Sequence, residues 1–380
     1  MAVFQLPGLS PELIHLRLNP RQLDFSIRRR ATLFRPLSAI GDSRSGEPDS
    51  ESRNRMFILG MGFVGGFFAQ QLKEADWSDI NFSPSNQFHN KYDIADWVNG
   101  EVFRLVSGSC RSDTKKKEWE KRGIDLNLFS ADSTEMSLLD SVKDYTHLLV
   151  SIPPLADIGD PMLRNVELVR DKLSGGNLQW LCYLSSTSVY GDCGGAWVDE
   201  DHPPNPKTQS AKLRLAAEEG WLRLGRDLGV STQVLRLAGI YGPGRSAIDT
   251  LLKRDRLSEG QKRRASRKFT SRVNVEDICQ ALQAATEKPS SGEIYNIVDD
   301  DPAPREEVFE YALELIEKRW PGTIETKPFP FVYESREESS LRGEKRVRNQ
   351  HMKNKLGVKL LYSSYKSGLQ SIVEKMDIPF

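Results

Sequence analysis

Only four cysteines occur in 380 residues, at positions 110, 182, 193 and 279, and no two stand in a Cys-x-x-Cys spacing. That argues against a disulfide-stapled framework and against a cysteine-built zinc site. Histidine is also sparse, and His147 and His202 are not clustered with the functional motifs, so no metal is expected. Long hydrophobic runs are missing as well. The longest, Phe57 to Ala69, is short and broken by glycine, which argues against a membrane span. Nor is there an excess of one charge: 53 lysines and arginines balance 53 aspartates and glutamates, so nucleic acid is not the expected partner. What remains is an ordinary globular composition, long enough for one large domain or two ordinary ones.

The balance hides an uneven distribution. Residues 1–40 carry six arginines, no lysine and two acids, leaving 47 basic against 51 acidic residues in the rest. Arg28-Arg29-Arg30 and Arg35 stand among scattered serines, followed by GDSRSGEPDSESRNR. Residues 1–54 therefore resemble an organellar transit peptide and linker, with a chloroplast favoured over a mitochondrion and Leu37-Ser38-Ala39 as the cleavage neighbourhood. A disordered cytosolic tail is the alternative.

The most informative stretch is Ile58 to Leu72, where an apolar strand pattern runs into Gly60-x-Gly62-x-x-Gly65 and then into a helix pattern. A dinucleotide pyrophosphate needs such a loop. Gly60 makes the tight turn, Gly62 admits the phosphate to the backbone, Gly65 lets helix meet strand, and Phe63 and Val64 open the helix whose N-terminus faces the negative charge.

From Met56 onward, short apolar runs alternate with helix patterns, which predicts an α/β fold with a doubly wound parallel sheet of the Rossmann type. The expected strands are Met56 to Leu59, Val102 to Val106, Leu126 to Phe129, His147 to Ile152, Trp180 to Ser185 and Gln233 to Ile240. This gives a dinucleotide-binding domain over 55–240, entered again by a return strand at 293–297, and a smaller substrate lobe over 241–380. Residues 77–101, with five aromatics, interrupt the pattern as an insertion. They suit an ordered surface loop or, more sharply, a substrate lid or partner surface.

The second strand candidate leads to Arg111 and Ser112, where an NAD-binding fold offers a carboxylate to the ribose. An arginine would instead neutralise a 2′-phosphate, which favours NADP over NAD. Asp132, after the third strand, is a candidate for the adenine amino group. Ser151, Ile152 and Pro153, after the fourth, are candidates for the nicotinamide side.

The fifth strand runs into YLSSTSVYGD, Tyr183 to Asp192, and later segments read VLRLAGIYGPGR, SRVNVEDICQAL and GEIYNIVDDDPAPREEVFEYA. With the glycine motif these resemble the short-chain dehydrogenase/reductase superfamily, and within it an atypical epimerase/dehydratase-like group found in plastids and bacteria. The resemblance implies that Ser186 hydrogen-bonds the substrate oxygen, with Ser185 and Thr187 as neighbours able to substitute. It also implies a catalytic tyrosine four residues before a lysine, and here the chain departs: in SAKLRLAAEE, Ser210 stands in the tyrosine's place and Arg214 in the lysine's. Serine has a far higher pKa than tyrosine, and arginine does not release a proton. Tyr190 and Lys212 are fallback proton carriers. In the closing segment, Arg346 and Asn349 form a Lys-Arg-x-x-Asn pattern that could reach the substrate cleft or simply cap a surface helix.

Between Lys253 and Arg272 lie nine basic residues and two acids. This stretch suits an anionic ligand or a solvated loop. RNA fits less well, because Phe269 is the single aromatic there and stacking recognition wants more. The expected protein is an NADP-binding, epimerase-like oxidoreductase acting on a small polar or anionic metabolite. Ser210 and Arg214 point equally to the alternative, a non-catalytic dinucleotide-binding sensor or an assembly or RNA-associated scaffold.

Overall fold

The alternation of short apolar runs with helix patterns forms a seven-stranded, wholly parallel sheet in the computed structural model, which describes residues 54–78, 103–130, 137–253, 269–323 and 344–377. The leader, Asp132, residues 79–101 of the insertion, Val102 and residues 254–268 of the basic stretch lie outside the described residues. The first half of the chain supplies β1 (Asn54–Leu59), α1 (Phe63–Ser78), β2 (Phe103–Cys110), α2 (Asp113–Glu120), β3 (Leu126–Leu128), α3 (Leu138–Val142), β4 (His147–Val150), α4 (Val166–Leu173) and β5 (Trp180–Ser186). After these come β6 (Trp197–Val198), α5 (Gln209–Leu228), β7 (Ser231–Leu237), β8 (Gly239–Tyr241), α6 (Ala247–Lys253), β9 (Arg272–Asn274), α7 (Val275–Glu287), β10 (Ile294–Ile297), α8 (Arg305–Arg319), β11 (Arg346–Val347) and α9 (Tyr365–Glu374).

Strand order is β10-β7-β5-β4-β1-β2-β3. The chain moves outward from β1 to β3 and then returns to β4 on the other side of β1. This creates a topological switch point at the carboxyl ends of β1 and β4, the place where such sheets bind ligands. Both sheet faces are covered. Met56 and Ile58 pack with Phe68 of α1 and Ile278 of α7, while Phe57 and Leu59 pack with Val169 of α4 and Trp221 of α5. Burial on both faces is why the strands read as continuous apolar runs rather than alternating ones.

Several boundaries differ from the sequence reading. The strand expected over Gln233 to Ile240 is two: β7 stays in the main sheet, and β8 leaves it to pair with β9. Strand β2 extends to Cys110 instead of ending at Val106, because its last three residues pair with Leu126 to Leu128 of β3, and Gly108 packs closely on β1. A Cβ there would meet the Ile58 carbonyl oxygen at 2.5 Å. Helix α1 takes the start of the expected insertion and runs to Ser78.

The sequence division at residue 240 is crossed by more than β10. Residues of α7, together with Met352 and Leu356, join the first-layer core. A separate hydrophobic cluster joins Tyr241, Ile248, Leu251, Phe309, Ala312, Tyr365 and Leu369. Among the described residues, no helix is long and apolar enough to cross a membrane.

Candidate functional site

At the switch point the three glycines have distinct surroundings. Gly60 has φ of 101°, and a Cβ on it would meet Ile152 Cγ2 at 2.6 Å; one on Gly65 would meet the Gly60 carbonyl oxygen at 2.5 Å. A Cβ on exposed Gly62 would meet nothing within 4 Å. Two glycines are therefore required by packing, and the third keeps the backbone open to a ligand. Helix α1 starts at Phe63 with no acidic residue in its first turn, so no side chain there opposes the positive end of its dipole. Val64 is buried in the core, and the Phe63 ring lies 5.2 Å from the Arg245 guanidinium. This cradle fits a dinucleotide pyrophosphate.

The neighbouring strand ends complete this region. The Ser151 N–H donates to the Leu59 carbonyl at 2.9 Å, and Ile152 packs on Gly60, followed by exposed Pro153. Sequence reasoning missed Ser109, whose buried Oγ accepts from the Gly60 N–H at 3.1 Å. A serine among apolar residues at the end of the strand beside the glycine loop was the available signal. Arg111 is exposed immediately past β2, whereas Ser112 caps α2, its Oγ accepting from the Lys115 N–H.

The second part of the site is a cavity of about 890 Å³ lined from one side by Ser186, Thr187, Ser188 and Gly191, and from the start of α5 by Thr208 and Ser210. Ser186 ends β5, and its Oγ accepts from the Ser188 N–H at 3.1 Å, which fixes a short helical turn over Thr187–Tyr190. Ser185 faces the other way. Its hydroxyl donates to buried Glu218, which Arg236 holds with Nη2 at 2.8 Å and Nε at 3.1 Å. The Arg236 guanidinium lies 4.9 Å from the Tyr190 ring centre, and the Tyr190 hydroxyl donates to Asn296 Oδ1 at 2.9 Å. Of the neighbouring hydroxyls, Ser186 and Thr187 line the cavity and Ser185 belongs to this buried network.

The two residues in place of the tyrosine and lysine part company. Ser210 lines the cavity, with its Oγ 3.3 Å from Thr208 Oγ1. Arg214 is not among the lining residues; its Nη1 donates to the Leu184 carbonyl at 3.1 Å, so it braces β5. The fallback carriers are placed elsewhere too. Tyr190 is fully buried, and burial raises its pKa; Lys212 is exposed and does not line the cavity.

The closing segment is corrected by one residue of register. Strand β11 pairs with β6, and side chains alternate across a strand. Lys345 and Val347 line the cavity, whereas Arg346 lies outside it, its guanidinium 5.1 Å from the Trp197 ring centre and 4.6 Å from that of Phe269. Asn349 does not reach the cleft either; its Nδ2 donates to Val298 O at 2.9 Å and Asp300 Oδ1 at 2.8 Å. Lys207, Arg245, Lys253, Arg272, Arg305 and Lys345 line the cavity against two acids, Asp192 and Asp249. The described ends of the basic stretch, Lys253 and Phe269 to Arg272, are part of this wall.

The model of the NAD dependent epimerase/dehydratase family matches residues 162–298, the segment that builds β5, the Ser186 turn, α5 and the return to β10. Protein YeeZ of Escherichia coli K12 is 33% identical over 161 residues, which are 42% of this chain and 55% of that protein. The chain thus spans about half the length of the curated relatives it matches. A functionally unknown conserved protein from Silicibacter pomeroyi has 27% identity and a TM-score of 0.61, covering 86% of this chain and 100% of its own. UDP-glucuronic acid 4-epimerase from Bacillus cereus, solved with NAD, shares the fold at a TM-score of 0.57 and 16% identity, over 84% of this chain and 96% of its own. Over residues 162–298 the chain is thus similar to the NAD dependent epimerase/dehydratase family, and its parallel sheet has the fold of solved epimerases.

Proposed function

We propose that the protein is an NADP-dependent oxidoreductase or epimerase-like enzyme that acts on a small polar, anionic metabolite. The observation that carries this reading is the cavity, where Ser186 and Ser210 share one chamber with six basic residues and only two acids. A chamber with that balance favours a negatively charged guest. Gly60, Gly62, Phe63, Val64 and Gly65 would hold the pyrophosphate, Ser151, Ile152 and Pro153 would flank the nicotinamide, and exposed Arg111 would neutralise a 2′-phosphate. When bound, the cofactor supplies hydride transfer. Ser186 orients the substrate oxygen. The arginine-rich, acid-poor leader supports a chloroplast as the place of action.

Oxidation of NADPH against a panel of carbonyl compounds bearing phosphate or carboxylate tests the reading. Turnover that falls about 100-fold in Ser186→Ala is the expected result. A second reading, a cofactor-binding sensor or scaffold, is favoured by the position of Arg214, which is tied to β5, away from the cavity. Tight NADPH binding with no turnover across the panel would select it.

A further inference from the structure

The cavity is basic throughout, but its cations differ in what surrounds them. Lys207, Lys253 and Arg245 are exposed to solvent, where water and salt screen their fields. Arg305 lies over the Phe309 ring at 4.3 Å. Arg272 is buried, and its Nη1 donates to the carbonyls of Thr270 and Ala303 at 2.7 and 2.9 Å. Lys345 is 8% exposed, and its Nζ donates to the Gly191 carbonyl at 3.0 Å. Gly191 belongs to the Ser186 wall, since its N–H donates to the Ser188 carbonyl at 3.1 Å. With φ of 73° and a Cβ that would strike Asn205 O, this position is restricted to glycine, which fixes the carbonyl that anchors Lys345. Lys345 is therefore the buried cation tied to the wall of hydroxyls. Asp192 lines the same wall, its Oδ1 accepting from the Gly194 N–H at 2.9 Å.

We propose that Lys345 is a specificity-determining residue: it holds an oxyanion group of the substrate, phosphate or carboxylate, beside the oxygen that Ser186 orients. A sheltered ammonium attracts an anion more strongly than an exposed one because less solvent intervenes. The β11–β6 pairing fixes the position of its backbone. This inference rests on the anionic-substrate reading above and adds the residue responsible.

Calorimetric titration of the full-length chain with inorganic phosphate and, separately, with oxalate tests it; the stronger ligand distinguishes a phosphate-bearing from a carboxylate-bearing substrate. Lys345→Met is expected to weaken the preferred anion at least tenfold, and Lys212→Met, at an exposed position off the cavity, less than twofold. Should Lys345→Met fail to fold, protection of wild-type lysines from reductive methylation, read by mass spectrometry, replaces it. The anion is then expected to slow modification of Lys345 and leave Lys212 unchanged. Anion binding that leaves Lys345 unprotected, or that survives Lys345→Met, overturns this assignment alone. Failure of both anions to bind the folded wild-type chain overturns the anionic-substrate reading with it.

Discussion

The proposed cofactor end and the proposed substrate end of this molecule are built by different means. At the switch point, function is written in backbone: two glycines that no side chain can replace, one that leaves an opening, and strand ends that converge on them. The substrate cavity is assembled from side chains distant in sequence, from Ser186 and Ser210 to Arg305 and Lys345, and it rests on the buried Glu218–Arg236 pair. A local motif can announce the first kind of site. The second depends on which face of each strand and helix ends up turned inward.

The largest expected effect probes the support beneath the cavity. Both side chains of the Glu218–Arg236 pair are at most 3% exposed, and removing one partner leaves a buried charge uncompensated. Glu218→Met should cost about 3–5 kcal/mol in urea unfolding. A loss below about 1 kcal/mol would mean that the pair does not brace β7 and α5.

The glycines allow the two ends to be separated. Gly65→Val should destabilise the fold by about 1–3 kcal/mol, because its Cβ meets backbone and the structure must shift. Gly62→Asp should leave the melting temperature nearly unchanged yet abolish cofactor binding, since its Cβ meets open space while its carboxylate opposes the pyrophosphate. Equal losses of stability in the two variants would break the division of labour between them. At the ribose, Arg111→Ala should weaken NADPH by about 1–3 kcal/mol and NADH far less; equal weakening would remove Arg111 from 2′-phosphate recognition.

The smallest expected effects are in pH dependence, where two buried groups act in opposite directions. Burial lowers the His147 pKa on β4 from 6.5 to about 4. The unfolded chain therefore takes up the proton first, and stability is lost as pH falls from 6.5 toward 4. Burial raises the Asp277 pKa from 3.8 to about 7, against the lowering effect of its hydrogen bonds from the Leu361 and Tyr362 N–H groups. Ionised Asp277 thus costs stability as pH rises from about 4 through 7. Unfolding across this range should show the acid slope shrink in His147→Gln and the opposite slope shrink in Asp277→Asn. Unchanged slopes would assign the titration to other groups.

The sequence made the cofactor end more legible because a strand, three glycines and a helix within fifteen residues define it. The parallel sheet was legible for the same local reason. Ser109 was missed because its role appears only when β2 lies beside the loop. In the closing segment, Arg346 was the candidate and Lys345 was missed, because a two-residue strand too short to recognise decides which faces the cavity. Arg214 aligned with the lysine position along α5, yet its long side chain reaches Leu184 O, a contact that spacing does not reveal. The break at Ala238 was hidden inside a run that reads as one strand; only the pairing of Gly239–Tyr241 with β9 exposes it.

The most direct test of the central claim is calorimetric titration of the full-length chain with NADPH and NADH, with Gly62→Asp beside it. Binding of NADPH well ahead of NADH, lost in a folded Gly62→Asp protein, is the predicted result. A folded wild-type chain that binds neither nucleotide, or a Gly62→Asp protein that binds NADPH as tightly as wild type, would contradict the account.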